Sequence, residues 1–145
     1  MVGQGENKKS MAYIGNVMAF LDAWIATDGK YGLYNYVDTP DLTMNELVSQ
    51  VRAKLKGKKG AGLSLPYWLG LILGYTADLV SKISGKNLPV SSIGVKKFAS
   101  STEFKSAKAI LENFEAPFPL SSGVERTLQS EFISPDPNRE IFYTE

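Results

Sequence analysis

The run LPYWLGLILGYTA, Leu65 to Ala77, contains no charged residue and is closed by Asp78. It is shorter than the roughly 20 apolar residues that a bilayer-spanning helix needs. It therefore predicts a helix buried on most sides or packed against a partner. Ser64 is placed to cap that helix, and Pro66 is tolerated in its first turn. Gly85 fits the position just past its end at Ser84. In its second half Asp78 and Lys82 stand four apart, the spacing of a surface ion pair. A membrane-surface role would rest on this helix alone, and no membrane partner is expected.

The remaining segments are set by turn and cap chemistry. MAYIGN reads as extended or a short strand. Asn16 is a plausible cap for the helix VMAFLDAWIAT, with Val17, Phe20, Leu21, Trp24 and Ile25 on one face. LYNYV, residues 33–37, reads as a strand, and Asp38 to Asp41 as a turn around Pro40. Thr43 and Glu46 form a capping-box pair opening a helix to about Leu55, with Leu47, Val48 and Val51 inward. Lys54 to Lys59 is a basic linker. VSSIGVKKF reads as extended, and Phe104 to Leu111 as a short helix. Pro117 and Pro119 mark a loop, and Ser121 caps a last helix, SGVERTLQSEF. The sum is one α+β domain, mostly helical, with four or five helices and three or four short strands. It occupies residues 1–132, followed by an irregular tail at 133–145.

Composition limits the chemistry. The 145 residues carry 16 Lys+Arg against 15 Asp+Glu, a balance unlike the basic excess of nucleic-acid binders, so no nucleic-acid partner is expected. There is no cysteine and no histidine. Disulfides and thiolates are excluded, and the commonest general base near neutral pH is missing. A chain free of cysteine fits a reducing cytoplasm. Residues 1–10 are polar and do not resemble a signal-peptide core. The expected location is cytoplasmic. Without His or Cys no metal site is expected.

The opening GQGENKKS nearly spells a phosphate-binding loop. Lys8, however, stands where the second glycine of G-x-x-x-x-G-K-[ST] belongs, and only two residues precede Gly3. The third glycine of G-x-G-x-x-G fails at the same position. A glycine turn explains Gly3 and Gly5 as well as a nucleotide loop would.

The longer string GQGENKKSMAYIGNVMAFL resembles the segment G-x-G-x-x-x-R-D-x-x-x-V-x-D-V of extended short-chain dehydrogenases, the NAD-dependent nucleotide-sugar epimerases and dehydratases. On that pattern Lys9 stands for the family's Arg and Ser10 for its Asp. Ile14 stands for its Val and Asn16 for its second Asp. LYNYVDTPDLTMNELVSQV resembles the last strand and helix of the family's coenzyme sheet. The segments from Leu65 to Phe98 and from Phe104 to Phe132 resemble its C-terminal substrate lobe. The resemblance thus spans roughly residues 2–132 and implies that lobe without its Rossmann half.

That resemblance implies a binder of nucleoside-diphosphate sugars that does not turn them over alone. The family's catalytic Tyr-x-x-x-Lys is absent, since none of Tyr13, Tyr31, Tyr34, Tyr36, Tyr67, Tyr75 and Tyr143 has a lysine four residues on. No catalytic residue is assigned, and the NAD of the intact family finds no fingerprint here. Lys9 matches the family's diphosphate-contacting Arg, although a lysine lacks the bidentate fork. Lys96 and Lys97 lie where a second basic contact often arises. Solvated surface charge is the alternative for all three. A strand left without its sheet and an apolar helix left without a neighbour imply a homo-oligomer or a partner chain carrying the Rossmann half. The other class left open is a structural or interaction module whose pocket is dead.

Overall fold

The computed structural model describes residues 1–27, 33–86, 88–105 and 114–138. It is mostly helical, with five α-helices and a two-stranded sheet. In chain order these are β1 (Lys8–Lys9), α1 (Ile14–Ala26), β2 (Leu42–Thr43), α2 (Met44–Lys56), α3 (Tyr67–Ser84), α4 (Ser92–Ala99) and α5 (Leu120–Leu128). A π-helical turn at Gln129–Ile133 continues α5. β1 and β2 pair antiparallel, Lys8 opposite Thr43 and Lys9 opposite Leu42. α3 packs on α4, and α2 on α5.

Two helix ends follow local chemistry as the sequence predicts. Thr43 Oγ1 accepts from the Glu46 backbone N–H at 3.2 Å, and the Glu46 carboxylate accepts from the Thr43 N–H at 2.8 Å. This reciprocal cap meets two orphan donors of α2. Gly57 ends α2 and Gly85 ends α3, each in the left-handed region, at φ 62° and 67°.

Elsewhere the structure departs from the sequence reading. Residues 33–37 form no strand. Tyr34 and Tyr36 instead pack their rings on Phe20, at centroid distances of 6.3 and 5.0 Å, with Phe114 on another side at 5.5 Å. VSSIGVKKF holds α4, not an extended segment. Ser91 caps it by accepting from the Gly94 N–H at 3.0 Å, and Asp78 accepts from the Ser92 N–H at 3.1 Å. α3 begins after Pro66 without a side-chain cap from Ser64, and α5 begins after Pro119 without one from Ser121. Phe104 and Lys105 are not helical, and the rest of the helix expected to Leu111 lies outside the described residues. Residues 134–138 carry neither helix nor strand, and 139–145 lie outside the described residues.

Asn16 is the largest departure. It sits inside the first turn of α1, not before it, and it is fully buried. Its Nδ2 donates to Asp38 Oδ1 at 2.9 Å and to the Phe118 carbonyl at 2.7 Å. Its Oδ1 accepts from the Phe118 N–H at 3.0 Å. Asp38, 3% exposed, also accepts from the Tyr13 N–H at 2.7 Å and the Tyr36 hydroxyl at 2.8 Å. The Asp38 carboxylate therefore satisfies a free donor at the start of α1, where negative charge is favourable. Three chain segments meet at these two side chains.

Among the described residues the buried apolar side chains are Phe20, Met44, Val95, Leu120 and Leu128. Gly74 lets α3 approach α4, because a Cβ there would lie 2.7 Å from Ser92 Cα. The first half of α3 is not buried on most sides within this chain, for Trp68, Ile72 and Leu73 are exposed, as are Leu79 and Ile83 further along; this leaves the other branch of the expectation, packing against a partner.

Asn16→Ala strands the Phe118 N–H and leaves the Asp38 carboxylate short of a donor. A loss on the order of 3 kcal/mol is expected in urea unfolding, since each buried orphan costs about 1–3 kcal/mol. Burial first, then the hydrogen bond and charge of Asp38, push the Tyr36 phenol well above its ordinary 10.0. A raised folded value gives stability that is whole below 10.0 and lost as pH rises toward the folded value. Thermal melts above pH 10.0 should fall less steeply in Tyr36→Phe than in the unaltered chain.

Candidate functional site

A cleft of about 750 Å³ opens where three elements converge. The N-terminal segment 2–7 forms one wall and residues 64–67, leading into α3, form the second. The end of α4, with Lys96, Ala99 and Ser100, closes the third side. Backbone pairing holds two of the walls together, with the Val2 side chain against Gly70. Gly3 N–H donates to the Leu65 carbonyl at 2.8 Å, and Leu65 N–H donates to the Met1 carbonyl at 2.6 Å. The Met1 ammonium donates to the Leu63 carbonyl at 2.8 Å.

The glycines of GQG have a structural task here. Gly3 and Gly5 adopt φ of 75° and 74°, which side chains rarely tolerate. A Cβ on Gly5 would also meet Met1 Cε at 2.6 Å and Asn45 Cβ at 3.2 Å. The pattern that nearly spelled a nucleotide loop is thus the price of threading this segment past α2.

The three predicted lysines are neighbours in the fold but point to different tasks. Lys96 lines the cleft. Its ammonium lies 5.3 Å from the Tyr75 ring centre. A hydrogen bond to Tyr75 and then the charge of Tyr75 hold its pKa above the ordinary lysine value, so it is cationic at any physiological pH. Lys9 is turned to the end of α4. Its ammonium donates to the Lys97 carbonyl at 2.8 Å, and to Ser100 Oγ and Thr102 Oγ1, both at 3.3 Å. Asn7 works beside it, donating from Nδ2 to the Phe98 and Ser100 carbonyls at 2.8 and 3.1 Å. Together they meet carbonyls that the C-terminal end of α4 leaves free, where positive charge is favoured. Lys97 contributes its carbonyl to this arrangement, and its side chain is exposed.

Chemically, the cleft offers one cationic side chain and the first turn of α3. The Leu69 and Gly70 N–H groups are already bonded to the Pro66 carbonyl, which leaves the earlier donors of that turn and its dipole facing the opening. Tyr67 supplies a flat apolar surface, Ser64 and Ser100 are polar edges, and Glu6 is an opposing carboxylate. The set suits a polar anionic group joined to a ring. Asn7, Ser64, Tyr67 and Ser100 were missed in the sequence because they line a cleft only once residues 91–99 fold as a helix. The Ser91-to-Gly94 cap was the local signal for it.

A second hollow, of about 360 Å³, lies between α2 and α5, walled by Leu47, Val51, Leu120, Val124 and Leu128. It brings no charged group inward and is a packing gap of the core. Among the described residues no three Asp or Glu side chains gather to hold a metal. Nor is any helix there long and apolar enough to cross a membrane.

Lys9→Met removes the cation from the end of α4 while keeping its stem. A loss of about 1 kcal/mol in unfolding free energy is expected, the size of such helix-end charge effects. Amide exchange should quicken at Ser100 and Thr102 and stay unchanged in α2.

No family model matches the chain, and no solved structure matches it. A curated relative does: the N-acetyl-alpha-D-glucosaminyl-diphospho-ditrans,octacis-undecaprenol 4-epimerase of Escherichia coli O157:H7, 48% identical over 134 residues. The match takes in 92% of this chain but only 40% of the relative's length. The chain is therefore similar to part of a sugar epimerase.

Proposed function

We propose that the chain is the substrate-binding portion of an NAD-dependent epimerase or dehydratase of the extended short-chain dehydrogenase type, and that it binds a sugar diphosphate in the cleft between residues 2–7, α3 and α4. The observation that carries the reading is the 48% identity to an epimerase whose substrate joins N-acetylglucosamine to a diphosphate. The cleft adds support, since a ring and a diphosphate match Tyr67 and the cationic Lys96. Lys9 and Lys97 act behind it by fixing the end of α4 that presents Lys96 and Ser100.

In this reading the chain binds and does not turn over. The Tyr-x-x-x-Lys pair that moves the proton in that family does not occur in these residues. The nicotinamide coenzyme that stores the hydride is assigned to a Rossmann half. An antiparallel pair of two-residue strands is no parallel-sheet cradle for a dinucleotide, so no redox step is derived from this chain. The Rossmann half lies outside these 145 residues, and the proposed contact is with that half or, in a homodimer, with a second copy of this chain. The surface assigned to it is the outer face of α1, where Ile14, Met18 and Ile25 are exposed, with Leu33 and Tyr34 alongside. The cytoplasm remains the proposed location.

Calorimetric titration with UDP, UDP-N-acetylglucosamine and a short-chain prenyl-diphospho-N-acetylglucosamine tests the binding. Saturable heat with at least one of them is expected, weakened about tenfold by Lys96→Ala, the scale of one charge-assisted contact. The nucleotide and prenyl arms distinguish the two carriers of the same sugar diphosphate. Absence of heat with all three favours the other reading, a structural module with a dead pocket.

A further inference from the structure

α3 carries more apolar bulk outward than an ordinary surface helix. Its inward side carries the small residues Gly70, Gly74, Ala77 and Ser81 with the half-buried Leu69 and Leu71 at its margins, and most of its large apolar residues are exposed. At 100° per residue, Trp68, Ile72, Leu79 and Ile83 fall on one stripe, and they are 63%, 50%, 59% and 78% exposed. Leu73 and Val80 widen it on one flank and Tyr75 on the other, all exposed. Eighteen residues make the stripe about 27 Å long.

Three further observations say what covers it. The polar residue in the middle of the stripe is Thr76, and its hydroxyl donates to the Leu73 carbonyl at 2.9 Å. Burial there leaves no hydroxyl proton without a partner. The charge is one-sided as well. Residues 52–102 hold nine of the chain's 16 basic residues and one of its 15 acidic ones, Asp78. That one is turned inward onto the Ser92 N–H. Last, lysines flank the stripe. Lys82 stands on the Tyr75 side of α3, Lys96 lies beside the Tyr75 ring, and Lys86 follows the helix end. A protein partner is bounded by a rim of mixed polarity. An apolar face bearing Trp and Tyr and edged by Lys82, Lys86 and Lys96 is complementary to an anionic lipid surface.

We infer that α3 lies in the plane of an anionic membrane surface, with Trp68, Ile72, Leu79 and Ile83 among the acyl chains and Lys82, Lys86 and Lys96 at the headgroups. The expectation of no membrane partner weighed only the length of the apolar run, not the face that the fold leaves outward. The inference stands on the face itself. It deepens the binding proposal at one point, and there it rests on that reading: the cleft opens at the first turn of α3, so a sugar diphosphate carried on a lipid would meet Lys96 at headgroup level.

The test is co-sedimentation of the 145-residue chain with sugar-free vesicles. Phosphatidylcholine alone is compared with phosphatidylcholine containing about 30% phosphatidylglycerol, an anionic content that draws clustered lysines. Expected is retention on the anionic vesicles, reduced at about 0.5 M salt as screening shortens the reach of the lysines. Ile72→Glu with Leu79→Glu should weaken retention at least about tenfold, since two charges cannot enter the acyl region. Both sites are exposed, and unchanged circular dichroism confirms the fold. In a Trp24→Phe chain, bromine-labelled acyl chains should quench Trp68. No retention on either vesicle, or an unquenched Trp68, overturns the inference. So does a dimer in ultracentrifugation that the double variant dissolves while vesicles bind neither form. Because no sugar is present, failure here leaves the calorimetric test of the cleft untouched.

Discussion

The fold depends on one extended thread, residues 1–11, whose backbone groups are shared between the start of α2, the approach to α3 and the segment after α4. Met1 and Gly3 pair with Leu65 ahead of α3. Gly5 and Asn7 offer their carbonyls to the Asn45 and Met44 N–H groups at the start of α2, both at 2.9 Å. Lys8 accepts from the Thr102 N–H at 3.0 Å, and Ser10 donates to the Thr102 carbonyl at 2.9 Å. Met11 then accepts from the Asp38 N–H at 2.9 Å. Buried backbone groups must find partners, and here almost every pairing joins the thread to a different part of the chain. With so few apolar side chains buried among the described residues, this thread and the Asn16–Asp38 pair do the joining that a larger core does elsewhere.

What was legible in the sequence is what is decided within four or five residues. The Thr43–Glu46 cap, the extent of α2 and the end of α3 at Gly85 depend on neighbours in the chain and match the sequence reading, whereas α3 starts at Tyr67, without the Ser64 cap. The LYNYV strand failed because strandness is a property of pairs: no neighbouring strand is offered, so Tyr34 and Tyr36 spend their β-prone aromatic rings on Phe20 instead. α4 was hidden by its mixture of Val, Ile and Gly, which local propensity scores as extended. The Ser91 cap, the Asp78 carboxylate and the close approach of Gly74 outweigh that propensity. Asn16 was read as a cap because asparagine so often caps. Its actual partners, Asp38 and Phe118, are 22 and 102 residues away, beyond any local pattern.

The candidate site divides in the same way. Basic residues at 9, 96 and 97 were visible, but not which of them faces a ligand. The structure separates them by partner: the carbonyls at the end of α4 accept from the Lys9 ammonium. A cation at that spot lowers the cost of an unsatisfied helix end wherever the chain is placed, so its presence alone never distinguished binding from structure. Lys96 is different: it lines the cleft and is held by Tyr75, not by the carbonyls at the end of α4.

Two surfaces of this small domain carry apolar side chains outward, and their chemistry separates them. The α1 face is next to Asp22, exposed on the same helix, and to the aromatic pocket around Phe20. Its character is mixed. The α3 face has lysines at its edge and a threonine with its hydroxyl already satisfied, and its charge is one-sided. The cleft lies at the end of α3, walled by the thread that holds the fold together. A ligand there touches residues 2–7, α3 and α4 at once, so binding would tighten the same backbone pairings on which folding depends, and ligand affinity and stability should be linked through the thread.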